Sequence, residues 1–191
     1  GGVRMKEMVK ERIWTYEDYL KLEDDKRYEV INGRLIEMPA LNFEHQRISR
    51  DLEFKLWEFV KEKGLGEVLD APFDVILSED IVVQPDIVFI SKDNLKNIRE
   101  GRLFGTPDMV VEIVSPGSYR KDRYEKFKIY EEFGVKEYWI VLPGERVVEV
   151  WVLGDKGKYE LYSFAEKEGK VKGKVLEGLE IDLNEIFKTS V

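Results

Sequence analysis

Apolar positions along the chain follow two rhythms, and the switches between them mark the elements. Leu41, His45, Ile48, Leu52, Leu56 and Phe59 recur at three- and four-residue steps, the stripe of one helix face, which predicts a helix over about Asn42 to Lys63. Gly64 and Gly66 end it, because glycine takes the left-handed conformation at a helix C-terminus at little steric cost. Ahead of it, Arg27-Tyr28-Glu29-Val30-Ile31 and Arg34-Leu35-Ile36-Glu37-Met38 flank Asn32-Gly33, and that dipeptide between strand-like runs predicts a tight hairpin. Thr15 is placed to cap a short helix ending near Leu22, with Asp18 supplying the second half of a capping box.

Beyond the helix the rhythm is that of strands. Glu67 to Asp70 and Phe73 to Leu77 are followed by a turn at Ser78-Glu79-Asp80 and by one long strand, Ile81 to Ile90. Lys92 to Ile98 is a short helix or loop, and Gly101 to Pro107 a connector into the apolar strand Met109 to Val114. A second long helix is expected over Ser118 to Phe133, capped by Gly134, then strands Glu137 to Leu142 and Arg146 to Leu153 around a Pro143-Gly144 turn. The remainder alternates strand-like pieces with turns at Gly154, Gly157, Gly169, Gly173 and Gly178 and closes on a helix-like Asn184 to Lys188. This order predicts an α/β fold, a central mixed β-sheet flanked by helices, with residues 14–153 as the main body and 154–191 as an antiparallel extension of the same sheet. Gly1 to Arg4 precede Met5, the more natural start, so residues 1–13 are read as a leader.

Two of the strands carry chemistry. Gln84-Pro85-Asp86-Ile87-Val88-Phe89-Ile90 and Met109-Val110-Val111-Glu112-Ile113-Val114 are apolar runs interrupted by one carboxylate each. An unpaired carboxylate in a buried strand costs several kcal/mol on the order given for desolvated charge, so it is paired, protonated or holding a cation. Asp86 and Glu112 together suggest a divalent-metal site. On the second predicted helix Asp122, Lys126 and Tyr130 share one face, because positions four apart lie one above another. That face is either an ordinary surface pair or one that projects an ammonium and a hydroxyl toward the carboxylates. Gln84, two residues before Asp86, is expected on the same strand face, contacting phosphate or water or simply satisfied in the sheet. The lone His45 sits on the apolar stripe of the first helix, as a packed histidine or as a ligand or proton shuttle.

Composition narrows the class. With 191 residues and 43% hydrophobic content, the chain buries one sizeable core, and it has no cysteine, which removes disulfides, thiolate zinc sites and cysteine nucleophiles. No apolar run approaches the roughly 18 residues that span a bilayer, so the expectation is a soluble, cytoplasmic protein with no membrane partner. Charged residues make up 37%, rich in Glu and Lys, a balance commoner in proteins from hot environments. The net charge of −8 weakens a simple nucleic-acid-coating role without excluding a nuclease, which needs carboxylates at the scissile phosphate. Arg120, Lys121, Arg123, Lys126 and Lys128 form a local basic cluster, or a solvated helix face balanced by Glu125, Glu131 and Glu132. Phe133, Tyr138, Trp139 and Trp151 read as core or dimer-interface residues rather than base-stacking platforms.

Taken in order, Tyr28-Glu29-Val30-Ile31-Asn32-Gly33, His45, Gln84-Pro85-Asp86, Val111-Glu112-Ile113-Val114-Ser115-Pro116, Asp122, Lys126, Tyr130, Gly134-Val135 and Glu137-Tyr138-Trp139-Ile140-Val141 resemble the Uma family within the PD-(D/E)XK nuclease superfamily. The resemblance covers about Trp14 to Leu153. It implies a restriction-endonuclease-like core, Asp86 and Glu112 as ligands of Mg²⁺ or Mn²⁺ with the Ile113 carbonyl as a further ligand, and Lys126 as the charged partner of phosphate or water. Glu29 matches a family position and is an extra ligand, a supporting carboxylate or an exposed strand residue. One departure matters: the superfamily's lysine falls two residues after the glutamate, where this chain has Val114, so Lys126 has to supply the charge from the helix. The implied activity is metal-dependent endonuclease cleavage of DNA, carried out by a homodimer. The alternatives are a non-catalytic nucleic-acid or protein-binding module on the same fold, and a hydrolase of another phosphodiester.

Overall fold

The computed structural model describes residues 12–115 and 122–188. Thr15 caps α1 (Tyr16–Leu20) through the capping box, its hydroxyl accepting the Asp18 N–H while its own N–H donates to the Asp18 carboxylate. Strands β1 (Tyr28–Ile31) and β2 (Arg34–Glu37) pair antiparallel across Asn32 and Gly33, whose φ angles of 49° and 77° are the positive pair a two-residue hairpin turn requires. Helix α2 (Phe43–Lys63) starts at an Asn42 cap and buries Ile48, Leu52, Leu56 and Val60; the first three are the middle of the predicted stripe, His45 and Phe59 are half-buried, and Leu41 lies ahead of the cap. The helix ends at Gly64, φ 62°. Gly66 is fixed by space, since a Cβ there would lie 2.1 Å from the Ile90 carbonyl oxygen.

Among the described residues the strands form two six-stranded sheets and one two-stranded pair, where the pattern suggests a single sheet. The first sheet has the order β2-β1-β5-β4-β8-β7, with β4 at Val75–Ser78, β5 at Ile81–Val83, β7 at Ile98–Arg99 and β8 at Arg102–Phe104. The second has the order β12-β11-β10-β9-β6-β3, with β3 at Gly66–Asp70, β6 at Ile87–Ser91, β9 at Met109–Ile113, β10 at Glu137–Leu142, β11 at Val147–Leu153 and β12 at Tyr159–Glu166. Both sheets are mixed: β9 and β10 run parallel, as do β4 and β8.

Three expectations change. The long strand Ile81 to Ile90 is two strands in two different sheets, and the break falls on Gln84-Pro85-Asp86 because proline has no N–H to give to a ladder. The Gly101 to Pro107 connector contains β8, three residues long and too short to leave a period. The second long helix is, over its described part, a π-helical turn Asp122–Lys126 running into α3 (Phe127–Glu132), while residues 116–121 lie outside the described residues. Lys92–Asn97 is the expected short helix, of 3₁₀ type, and a 3₁₀ turn at Leu183–Glu185 stands where the sequence predicts a terminal helix.

Each face of the second sheet has its own core. On one side α2 meets Val111, Trp139, Val141, Val148 and Val150, closed over by Leu176, Ile181, Leu183, Ile186 and Phe187 from the chain's end. On the other, Ile129 and Tyr130 of the crossover between β9 and β10 pack with Tyr138, Ile140 and the first sheet's Val75 and Val83. Beyond β12 the extension forms a separate pair, β13 (Lys170–Lys172) and β14 (Glu180–Asp182). Buried Glu137 fastens it, accepting the Lys174 and Val175 N–H groups at 2.8 and 2.9 Å on one oxygen and the Trp139 indole N–H on the other. Among the described residues no helix is long and apolar enough to cross a membrane.

Candidate active site

The break at Pro85 leaves Asp86 at the head of β6, where the backbone leaves one sheet and enters the next. Its Oδ2 accepts the Ile113 N–H at 2.7 Å, and its own N–H reaches Glu112 Oε1 at a long 3.3 Å. Oδ1 turns toward α2 and lies 3.2 Å from His45 Nε2. Asp86 therefore ties together β6, β9 and the first turn of the long helix, where Asn42 caps the His45 N–H.

Glu112 shares strand-face parity with Val110 and Val114 and so points to the α3 side of the sheet. There Lys126 Nζ donates to Glu112 Oε2 at 2.7 Å and to Glu29 Oε2 at 3.0 Å, and the Tyr130 hydroxyl donates to Glu112 Oε2 at 2.8 Å. Glu29 also accepts the Gln84 N–H at 2.8 Å. All these groups are buried: Lys126 is 5% exposed, Glu29 4%, Glu112 6% and Asp86 7%. The helix thus brings its ammonium to the carboxylates across 14 residues of sequence, from a backbone position far from Val114.

Burial pushes the Glu112 carboxyl up to about 8; Lys126 opposes the shift, and the Asp86 and Glu29 charges add to it. Tyr130 is raised well above the ordinary phenol value, first by burial and then by Glu112, so it remains a donor. Edge-on packing against Tyr138, ring centroids 5.0 Å apart, fixes its ring.

Gln84 departs from the expected placement. Its backbone N–H serves the site, but its side chain faces away, because the break in the strand cancels simple alternation. The side-chain amide donates to the Tyr19 hydroxyl and to Asp74 Oδ1 and accepts from Arg27 Nε, a network that fastens α1 to the first sheet. The side chain of Asp122, with Arg120 and Lys121, lies outside the described residues.

Two ion pairs that the sequence reading missed brace the turn carrying Lys126. Arg123 donates to both oxygens of buried Glu149 at 3.1 and 2.8 Å, and Arg34 of the hairpin pairs with Glu125. Glu149 and Glu137 bear the same signature as Asp86 and Glu112, a single carboxylate in an apolar strand, so that signal was present. It finds buried acids and does not tell a reactive one from a clamp.

A cavity of about 530 Å³ opens beside the site, walled by His45, Ile113, Val114, Ser115 and the Pro143-Gly144 turn. Among the described residues no three His, Asp or Glu side chains gather into a ready ligand set for a metal. Asp86 Oδ1, 3.2 Å from His45 Nε2, and Glu112 Oε1, held by one long N–H bond, retain acceptor capacity. Both are hard donors of the kind Mg²⁺ or Mn²⁺ takes, so the donor chemistry fits such an ion.

A family profile, Uma2, described as "Putative restriction endonuclease", matches residues 16–184. Among solved structures, a putative nuclease belonging to DUF820 from Anabaena variabilis ATCC 29413 superposes with a TM-score of 0.75 at 20% identity, covering 91% of this chain and 97% of that one. No curated protein matches the sequence.

Proposed function

The chain belongs to the Uma2 family of putative restriction endonucleases, and from that premise we propose that it is a divalent-metal-dependent endonuclease that hydrolyses phosphodiester bonds in DNA. The observation that carries the reading is the meeting of Asp86, Glu112 and Lys126, from three different elements, in one buried hydrogen-bonded group beside an open cavity.

Asp86 Oδ1 and Glu112 Oε1, together with the Ile113 carbonyl, are the oxygens that would hold Mg²⁺ or Mn²⁺. Such an ion would polarise the phosphate and lower the pKa of bound water. Lys126 presents a fixed positive charge to the attacking water or to the negative charge that builds on the phosphate oxygens. Glu29 anchors that ammonium, and Tyr130 holds the Glu112 rotamer. His45 steadies Asp86 from the α2 side. One such site cuts one strand, so cleavage of both suits a homodimer, which sedimentation equilibrium would test.

A second reading has its own observation. Glu112 Oε2 is already satisfied by Lys126 and Tyr130, so this oxygen needs no added cation, as a non-catalytic binding module would have it. The deciding experiment is cleavage of supercoiled plasmid with Mg²⁺ or Mn²⁺ by wild type, Glu112→Ala and Lys126→Ala, alongside their melting temperatures with and without metal. The nuclease reading expects nicking by wild type, its loss in both variants, and a metal-induced rise in Tm that Glu112→Ala lacks. No nicking and no thermal response would leave the binding module. Hydrolysis confined to small diesters would move the activity to another phosphodiester.

A further inference from the structure

The cavity beside His45 does not end at the Pro143-Gly144 turn. It shares Glu44, Pro143 and Gly144 with a second cavity of about 440 Å³, whose other walls include Arg47, Arg146, Phe187 and Lys188. The charge changes sign along this trough. Its first part is lined by Glu44 and Glu145 and adjoins the buried carboxylates through His45, while its second part is lined by Arg47, Arg146 and Lys188 as well as Glu44. In a chain of net charge −8 that concentration of positive charge is a local feature with a direction, leading away from the Asp86 and Glu112 pair.

The cations are held in place by backbone. Arg47 donates to the Lys188 carbonyl at 3.1 Å and Arg146 to the Phe187 carbonyl at 3.2 Å, so two successive carbonyls draw the two guanidinium groups to one end of the trough. Lys188 itself pairs with Asp51 at 3.4 Å. Arg146 is different: it rests over the Phe187 ring, 5.6 Å from its centroid, and no carboxylate among the described residues lies within ion-pairing distance of it. It also stands at φ 55°, a left-handed conformation that glycine or asparagine adopts with less strain. A guanidinium with no carboxylate partner among the described residues, kept at a strained turn position on the wall of a cavity that shares Glu44, Pro143 and Gly144 with the one beside His45, is arranged to receive an anion.

Resting on the phosphodiesterase reading of the carboxylate site, we propose that the second cavity is a phosphate subsite. It binds a non-reacting backbone phosphodiester of the same strand, with Arg146 as the principal contact and Arg47 and Lys188 contributing charge. The substrate is then a polynucleotide strand lying along the trough, not a mononucleotide or an isolated small diester.

The test is anisotropy of a fluorescent DNA oligonucleotide titrated with full-length protein across a salt series without divalent metal, comparing wild type, Arg146→Asn and Arg146→Lys. Asparagine suits the positive φ, so its Tm should match or exceed that of wild type. Its affinity should nevertheless fall, with the slope of log K against log salt shallower by about 0.7 to 0.9, the release from one phosphate. Lysine keeps the charge and should keep the slope. An unchanged slope in a folded Arg146→Asn variant, or a wild type that does not bind the oligonucleotide, overturns the subsite. A lost slope in Arg146→Asn, with wild type cutting no plasmid in metal, would uphold the subsite while removing the nuclease reading.

Discussion

Lys126 is the residue on which the buried group depends. It is the one described cation hydrogen-bonded to Glu29 and Glu112, and its removal leaves these two buried acids with only the Gln84 N–H and the Tyr130 hydroxyl on the oxygens it served. Breaking a buried pair by deleting one partner costs about 3–5 kcal/mol. Lys126→Met should lose stability of that order by denaturant unfolding, and Glu29→Gln in the same background should recover part of it; strictly additive losses would mean that the two groups do not interact. Glu112 makes a separate prediction in pH. Its folded-state value, raised to about 8 by burial, lies above the ordinary 4.5, so the folded state holds the proton more tightly than the unfolded chain. The resulting stabilisation is complete below about 4.5 and is lost as pH climbs through 8. The Tm of wild type should therefore fall relative to Glu112→Gln between pH 5 and pH 8, and parallel curves would sink the shift. At this scale the sequence was informative about which acids are buried, because an apolar strand interrupted once leaves little choice. It was silent about Arg146 and Arg34, whose roles arise from a turn conformation and a contact spanning 91 residues.

Among the elements, the π-helical turn Asp122–Lys126 is the one whose geometry the site needs. A wider turn changes which side chains lie over one another, and such turns are frequent at functional sites. Arg123 to Glu149 and Arg34 to Glu125 hold this turn from two directions, one against β11 and one against the hairpin. Glu149 is the more buried partner, so Arg123→Ala leaves a carboxylate that keeps the Trp151 indole N–H but loses its ion pair, at a cost on the order of 1–3 kcal/mol, whereas Glu125→Gln, at a more exposed pair, should cost about 1 kcal/mol or less. If the turn positions Lys126, both variants should lower the cleavage rate by more than their stability losses explain at a temperature where they are fully folded. Full activity in folded Arg123→Ala would show that the turn holds without its brace. Local signals were enough for the hairpin, α1 and α2, since Asn-Gly, the capping box and a four-turn apolar stripe each act over a few residues. They could not show that Ile81 to Ile90 crosses between sheets, since both halves are equally apolar and only Pro85 marks the exchange. The π-helical turn left no trace in the four-residue spacing either, because that spacing is equally compatible with an α-helix.

At the scale of the whole molecule, the end of the chain is part of the core that positions His45. Leu176, Ile181, Leu183, Ile186 and Phe187 are buried in the same cluster as Ile48, Leu52 and Leu56 of α2, and Glu137 fixes the loop that delivers them. Each such side chain contributes about 1.5–3 kcal/mol on burial, so the five together are comparable with the roughly 5–15 kcal/mol by which a whole domain is stable. A chain ending at Leu153 would also bare one edge of β11, which β12 covers from Val147 to Leu153. That truncation should lose the cooperative unfolding transition and the near-ultraviolet dichroism of its buried aromatic residues, and should be degraded by protease under conditions where the full chain resists. Glu137→Gln supplies the finer test of the same coupling. It keeps the size of the side chain but weakens the acceptor shared by the Lys174 and Val175 N–H groups, so hydrogen exchange should quicken first over residues 173–187 and then along α2. Exchange that quickened only in the loop would show that the terminal segment covers the helix without holding it, and the link from the chain's end to His45 would fail.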